Sequence, residues 1–161
     1  MIRQLLLVIL CAAIVPHTVA GTLQLVVNGK TYHFQRDRER NESNWGVGLE
    51  YSSKQRGDYI PFVTISAFKD SYFEMSNYFG GGIKRRFQSK HAERALYLDV
   101  GAIAFVMSHK NHNDGEPFPG LLPFVSLGSE RVALNIAYVP KVVDTSSNLL
   151  FLQLMVKVVD F

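Results

Sequence analysis

Three polar residues arrive together where a long apolar run ends. In "AFKDSYF", Lys69, Asp70 and Ser71 follow the segment "YIPFVTIS". A histidine, His33, lies at the end of another strand-like segment, "KTYHF". These residue types can carry out acyl transfer, with imidazole as general base, carboxylate to orient it and hydroxyl at the reacting centre. Since Ser, Asp and His occur in most loops, this chemistry depends on elements that bring the three side chains together.

Apolar and polar residues alternate along much of the chain, in segments separated by turn residues. Segments of about ten residues with this period-two pattern are the signature of a transmembrane β-barrel. In "LYLDV", Leu96, Leu98 and Val100 share one face, and a later segment repeats the pattern with Val132, Leu134 and Ile136. A soluble lipocalin-like barrel also alternates, but its outer face must be polar to meet water. Here one face stays apolar from strand to strand, which favours lipid outside the barrel.

The pattern therefore predicts an all-β fold, an eight-stranded antiparallel transmembrane β-barrel. Asn28-Gly29 is a strong hairpin signal, but a hairpin there would give nine strands, and single-chain bacterial barrels have even numbers. We therefore expect a bulge at Asn28-Gly29. A second bulge is expected near Val158-Val159, because Phe161 falls on the inward parity of the last strand. The predicted strands cover residues 22–34, 44–53, 58–69, 78–88, 94–107, 120–128, 131–139 and 149–161.

Residues 1–20 have the features of a cleaved secretory signal peptide. Arg3 supplies the charged start, residues 5–15 the apolar core and Ala20 a small residue at the cleavage site. The apolar run is too short for a membrane-spanning helix, which needs about 20 residues. Cys11, the only cysteine, lies in this segment, and the bulky Leu10 before it argues against a lipoprotein. We expect residues 21–161 to form a single domain without disulfide or thiol chemistry.

The strand parity predicts where the polar residues of the opening motif point. On the third strand, Phe62 and Phe68 belong to the inward set, and Asp70 continues that set at the outer rim. Ser71 then enters the loop, while Lys69 lies on the opposite parity, toward the lipid head groups. The first strand ends at the same rim with His33. The three candidate residues are thus expected to border one cavity at the outer mouth of the barrel.

Three short motifs resemble the lipid A palmitoyltransferase (PagP) family of the outer membrane. The motifs are "AFKDS", "LLPF" and "AYVP", and their spacing also fits the family. The Trp-Gly-rich second strand, "NWGVGLEY", agrees. The resemblance covers roughly residues 30–161 and implies a protein of the cell outer membrane. Carried over to this chain, it implies that His33, Asp70 and Ser71 are the active-site residues.

The resemblance also implies roles for residues that bind substrate. Gly82 corresponds to a glycine on the floor of the family's acyl pocket, and its inward parity leaves space for a chain. A kink in the strand is an equally good explanation of this glycine. Pro123 and Pro140 match prolines that interrupt strand pairing in the family and let lipid enter sideways. Proline removes a donor from the ladder, so each would weaken pairing locally.

The implied activity is transfer of a palmitoyl or similar chain from a glycerophospholipid donor to a lipid A acceptor. The surrounding partners would be outer-membrane lipids, and we expect the chain to act as a monomer. No metal ion or diffusible cofactor is implied. The formal net charge is only +3, and the sequence has no phosphate-cradling loop or basic–aromatic interleaving. Nucleic-acid binding is therefore not expected.

Two other kinds of barrel remain as alternatives. One is a lipid A deacylase or phospholipase, which would release free fatty acid. The other is a non-enzymatic barrel that binds lipid. Among the remaining motifs, His109 and His112 are expected in a solvated loop, since no further metal ligands cluster with them. Arginines between Arg36 and Arg40 are either part of a solvated loop or a phosphate-binding rim.

Overall fold

A computed structural model describes residues 20–35, 40–88, 96–110, 115–141 and 147–161. Within these ranges, no helix is long and apolar enough to cross a membrane. Most of the predicted signal peptide, the predicted turn at residues 89–91 and His112 lie outside the described residues.

Eight antiparallel strands form a closed barrel in which each strand pairs with the next and β8 pairs with β1. The predicted fold class is thereby confirmed. Two boundaries differ by three residues, because β4 begins at Met75 and not at residue 78, and β5 begins at Tyr97 and not at residue 94. A tight turn after β3 allows Lys69 to pair with Met75 at once. The strands are β1 (Gly21–His33), β2 (Ser43–Ser53), β3 (Tyr59–Lys69), β4 (Met75–Gln88), β5 (Tyr97–Ser108), β6 (Phe118–Gly128), β7 (Val132–Val139) and β8 (Leu149–Asp160).

The two faces of the strands differ as the alternation predicts. On β3, Val63 and Ile65 are 49% and 56% exposed, whereas the intervening Thr64 is 5% exposed. Five of the six residues predicted to point outward are exposed, and Ile136 is half-buried on the same face. The strands thus present apolar side chains outward, while most of their backbone groups pair with neighbouring strands. This arrangement satisfies the backbone polar groups in a bilayer, where no water can do so.

Both predicted bulges are present, and the first redirects the end of β1. The register of β1 shifts between Asn28 and Lys30 against both of its neighbours. In the ladder with β8, Gly29 is the extra residue, whereas in the ladder with β2 it lies opposite Asn44 and Trp45. Before the bulge Val26 and Asn28 are buried, and after it Thr31 and His33 are buried. Since side chains alternate with a period of two, one extra residue exchanges the faces. The second bulge falls at Val158, between partners of Leu23 and Gln24.

The end of the barrel opposite Asp70 is filled by paired charges. Lys84 donates to the Glu50 carboxylate at 2.7 Å, and both side chains are buried. Arg86 makes two 2.8 Å hydrogen bonds to Asp99, which is 1% exposed. Such pairs offset the desolvation of each charge by hydrogen bonding. The interior is therefore closed by polar residues at this end.

We expect Lys84→Met to lower the free energy of unfolding by about 3–5 kcal/mol, because Glu50 would be left buried without its cation. Replacing both partners, with Glu50→Leu and Lys84→Met together, should cost less, since no charge is then left unpaired. Urea titration of the barrel refolded into phospholipid vesicles measures both values. Equal losses in the single and double variants would contradict this account of the pair.

Candidate active site

The other end of the barrel holds a cavity of about 300 Å³. Its walls are mainly apolar and include Phe68, Phe105 and Leu122, while polar side chains gather at its mouth. All three residues singled out from the sequence, His33, Asp70 and Ser71, border this cavity. Its shape suits a ligand with a long apolar part and a polar group at one end.

His33 and Ser71 are brought together at the mouth. The imidazole Nε2 of His33 lies 3.2 Å from Ser71 Oγ, within hydrogen-bonding distance. His33 is 2% exposed, because the bulge at Gly29 turns it inward. Its other ring nitrogen, Nδ1, lies 3.8 Å from a carboxylate oxygen of Glu42. An imidazole that contacts a hydroxyl on one side and faces a carboxylate on the other can act as a general base.

Asp70 organises the turn that presents Ser71. One carboxylate oxygen accepts the backbone N–H groups of Tyr72 and Glu74, at 2.8 and 3.0 Å. The other accepts the Ser76 hydroxyl at 2.8 Å. Phe73 in this turn has a φ of 67°, a left-handed conformation that is rare for a non-glycine residue. The carboxylate thus holds a turn that the chain would not readily adopt.

Asp70 does not serve as the expected partner of His33 in this structure. Its oxygens are occupied by the turn and by Ser76, and the carboxylate that faces His33 belongs to Glu42. The sequence gives no signal for Glu42, because it lies in the loop between β1 and β2, where strand parity does not apply. Asp70 nevertheless borders the same cavity and is 3% exposed.

His109 is a residue of this site that the sequence interpretation missed. It was expected in a solvated loop, and that expectation is wrong. Its side chain is only 14% exposed, and its Nδ1 lies 3.5 Å from a carboxylate oxygen of Asp70. The ring also packs edge-on against Tyr72, with 5.4 Å between centroids. A signal was present, since His109 continues the inward parity of Tyr97 and Asp99 on β5.

Loop contacts fasten the end of β3 to the segment after β1. The Asn41 side chain donates to the carbonyl of Asp70 at 2.9 Å, and its backbone N–H donates to the carbonyl of Ser71 at 3.0 Å. Asn44 donates to the carbonyl of Lys69 at 2.8 Å. Lys69 itself has its ammonium 5.5 Å from the centre of the Phe73 ring. These bonds fix the backbone of Asp70 and Ser71 on the side of His33.

Basic and metal-binding features at the rim are limited in the described part of the chain. Arg40 borders the cavity, whereas residues 36–39 of the arginine-rich segment lie outside the described residues. Where the structure describes the chain, no three His, Cys, Asp or Glu side chains are grouped to hold a metal ion.

Phe62 and Phe124 border the inner end, or floor, of the cavity, whereas Gly82 does not border it. Their rings meet edge to face at 5.6 Å, and both border the cavity. Gly82 pairs with Phe62 across the strands. A Cβ at Gly82 would lie 2.8 Å from the tip of the Phe62 ring and 2.1 Å from the carbonyl oxygen of Ala102. Glycine is therefore needed at this position for the close approach of the Phe62 ring and of β5.

The wall between β6 and β7 is paired over only part of its length. Its ladder runs for five residue pairs, from Phe124–Ala137 to Gly128–Ala133. Pro123 is the first residue of β6 beyond this ladder, and Pro140 follows the end of β7. Pro140 borders the cavity, whereas Pro123 faces outward. The two prolines thus lie on opposite sides of an unpaired seam in the wall.

This fold and site define a class of protein, an eight-stranded membrane barrel with an apolar cavity and an imidazole–hydroxyl pair at its mouth. The chain belongs to the PagP family, described as "Antimicrobial peptide resistance and lipid A acylation protein PagP", whose sequence pattern matches residues 22–155. It is accordingly a protein of the outer membrane.

The chain is similar to several proteins named "Lipid A acyltransferase PagP". It is 29% identical over 113 residues to that of Musicola paradisiaca, covering 70% of this chain and 58% of the relative. It is 31% identical over 114 residues to that of Pectobacterium parmentieri, covering 70% and 53%. The Bordetella pertussis Tohama I protein is also 31% identical over 114 residues, with 70% and 60% covered. The matching segment thus spans little more than half the length of these relatives.

Two solved barrels are similar in shape. Neisserial surface protein A has a TM-score of 0.47 and 14% identity, covering 86% of this chain and 96% of that one. The crystal structure of Ail from Yersinia pestis has a TM-score of 0.44 and 11% identity, covering 86% and 97%.

The role of Asp70 in the turn can be measured apart from any activity. Asp70→Ala should speed amide hydrogen exchange at Tyr72 and Glu74 at least about tenfold, since each loses a hydrogen bond to a charged group worth about 1.5–3 kcal/mol. Asp70→Asn keeps a side-chain oxygen that accepts both N–H groups, so exchange should rise by less than about threefold. NMR of the barrel in detergent micelles gives both rates. Protected amides in the alanine variant would show that the turn forms without the carboxylate.

Proposed function

We propose that this protein transfers an acyl chain from a glycerophospholipid to the lipid A part of lipopolysaccharide. The observation that carries the proposal is the 3.2 Å contact between His33 Nε2 and Ser71 Oγ at the mouth of an apolar cavity. A membrane barrel with such a cavity suits substrates that are lipids themselves. The names of the similar proteins, lipid A acyltransferases, support the same reaction.

In this proposal His33 is the general base and Ser71 supplies the hydroxyl at the reacting centre. His33 takes the proton from the attacking hydroxyl, whose oxygen forms a bond to the ester carbonyl carbon. The bond from that carbon to the glycerol oxygen then breaks, and the glycerol oxygen takes up a proton. Asp70 contributes by holding the turn that aims Ser71 at His33. Glu42, beside His33 Nδ1, favours the protonated imidazole that forms during the reaction.

The acyl chain would lie in the apolar part of the cavity, with its ester at the mouth. Each buried methylene contributes about 0.8 kcal/mol, so a chain that reaches the floor binds best. Phe62 and Phe124 would then set the accepted length, with Gly82 supporting the Phe62 ring. The seam beside Pro123 and Pro140 would admit the lipid from the membrane, because its backbone groups lack ladder partners there. One chain closes the barrel and supplies every residue of this site, so we propose a monomer.

Ser71→Ala and His33→Ala should each lower acyl transfer by at least about a hundredfold, the scale of losing one acid–base partner. Mass spectrometry of lipid A from cells that express each variant measures the transfer. Ser108→Ala is a matched control, because this rim serine donates to the Gly115 carbonyl and is not among the described residues that border the cavity. Free fatty acid without acylated lipid A would identify a hydrolase instead. Lipid A that is acylated in both variants to the same extent as in the wild type would show that His33 and Ser71 do not take part in the reaction.

Phe62→Leu should move the preferred acyl chain to one about two methylenes longer, because the floor is lowered and each extra methylene is favourable. Phe118→Leu is the control, since Phe118 borders the cavity near its mouth and should leave the length unchanged. The products are compared by mass spectrometry with donors of several chain lengths. The same chain length in the Phe62 variant and the wild type would place the end of the acyl pocket elsewhere.

A further inference from the structure

Two imidazoles reach the mouth of the cavity from opposite walls of the barrel. His33 ends β1, and His109 directly follows the end of β5, four strands away in a closed barrel of eight. They approach neighbouring residues of the same turn. His33 lies against Ser71 at 3.2 Å, and His109 lies against Asp70 at 3.5 Å. The turn after β3 therefore joins two histidines across one cavity.

His109 is held in this position from several sides. Its ring packs edge-on against Tyr72 on the inside. On the outside, Lys110 donates to the Glu74 carboxylate at 2.9 Å. This bond raises the pKa of Lys110. Both contacts fasten the residues after β5 to the turn that contains Asp70.

The partner of His109 is a buried carboxylate. The Asp70 side chain is 4% exposed, and one of its oxygens faces His109 Nδ1. A buried carboxylate next to a ring nitrogen fixes the orientation of an imidazole and stabilises its protonated form. On the opposite wall a carboxylate also faces an imidazole, since Glu42 lies 3.8 Å from His33 Nδ1, but the Glu42 side chain is 45% exposed. The site therefore contains two carboxylate–imidazole pairs, of which the reaction described above uses only one.

Acyl transfer between two alcohols requires two proton movements. The attacking hydroxyl loses a proton as its oxygen bonds to the carbonyl carbon. The leaving glycerol oxygen must gain one as its bond to that carbon breaks, because an alkoxide is a poor leaving group. A base on one side of the ester and an acid on the other meet both requirements.

We propose that His109 is this general acid, with Asp70 as the residue that orients it. The assignment rests on the acyl-transfer function proposed above. His109 gives a proton to the glycerol oxygen as the ester C–O bond breaks, while His33 accepts the proton of the attacking hydroxyl. The two imidazoles have then exchanged protonation states. Proton exchange with water at the mouth returns each to its starting form, so no further reactant is consumed.

The test compares two donors that differ in their need for a proton. Dipalmitoyl phosphatidylethanolamine releases a glycerol oxygen, whereas 4-nitrophenyl palmitate releases a stable phenolate. His109→Ala and His109→Asn should each lower acyl transfer from the phospholipid by at least about a hundredfold. With the nitrophenyl ester the loss should stay below about threefold, because its leaving group departs without general acid catalysis. His33→Ala should lower the rate with both donors.

Two variants separate an acid from a structural support. Asparagine at position 109 can still donate a hydrogen bond to Asp70, but it cannot transfer a proton. Lys110→Ala loosens the outer ion pair with Glu74 and should leave both rates within about twofold. Retained phospholipid transfer in His109→Asn, or equal losses with both donors, would overturn the assignment. Resistance of the folded barrel to proteolysis is measured for every variant.

The comparison of the two donors still tests the role of His109 if the proposed acyl-transfer function is wrong. A wild-type protein that cleaves the phospholipid without acylating lipid A would refute the transferase. Hydrolysis also requires protonation of the glycerol oxygen, so the ratio of rates with the two donors would still decide the role of His109.

Discussion

The β-bulge at Gly29 is the feature on which the candidate site depends. Side chains on a strand alternate between the faces, so the one extra residue turns every later side chain of β1 to the other face. His33 would point to lipid without the bulge, while Ser71 would still lie inside. The register shifts at this point in the ladders with both β2 and β8, and Gly29 is the extra residue opposite β8. A local irregularity in one strand thereby creates a contact between strands distant in sequence.

The turn after β3 combines a structural and a chemical requirement in one carboxylate. Asp70 satisfies two backbone N–H groups and the Ser76 hydroxyl, which stabilises a turn with Phe73 in a left-handed conformation. The same oxygens bring a negative charge to the edge of the cavity beside His109. A buried carboxylate needs several donors to remain charged. The turn supplies those donors, so the same hydrogen bonds hold the loop and satisfy the buried carboxylate.

The two ends of the barrel interior differ in the side chains that they contain. Charged pairs close the end near Glu50 and Lys84, and the rings of Phe62 and Phe124 border the cavity next to them. At the other end the wall between β6 and β7 is only partly paired. A fully paired barrel filled with side chains would have no room for a lipid and no way in from the side. The unpaired seam between β6 and β7 and the cavity therefore occur together in the same part of the molecule.

The sequence by itself determined the eight strands, their outward faces and both bulges, because lipid outside and a closed barrel impose a period of two and an even strand count. The PagP-like motifs also pointed to His33, Asp70 and Ser71 from sequence alone. Only the tertiary structure decided which groups meet. Glu42 faces His33, His109 faces Asp70, and Phe62 lies between Gly82 and the cavity. These contacts join loops and strands far apart in the chain. Strand parity tells which face a side chain occupies, but the partners depend on how the loops fold over the mouth.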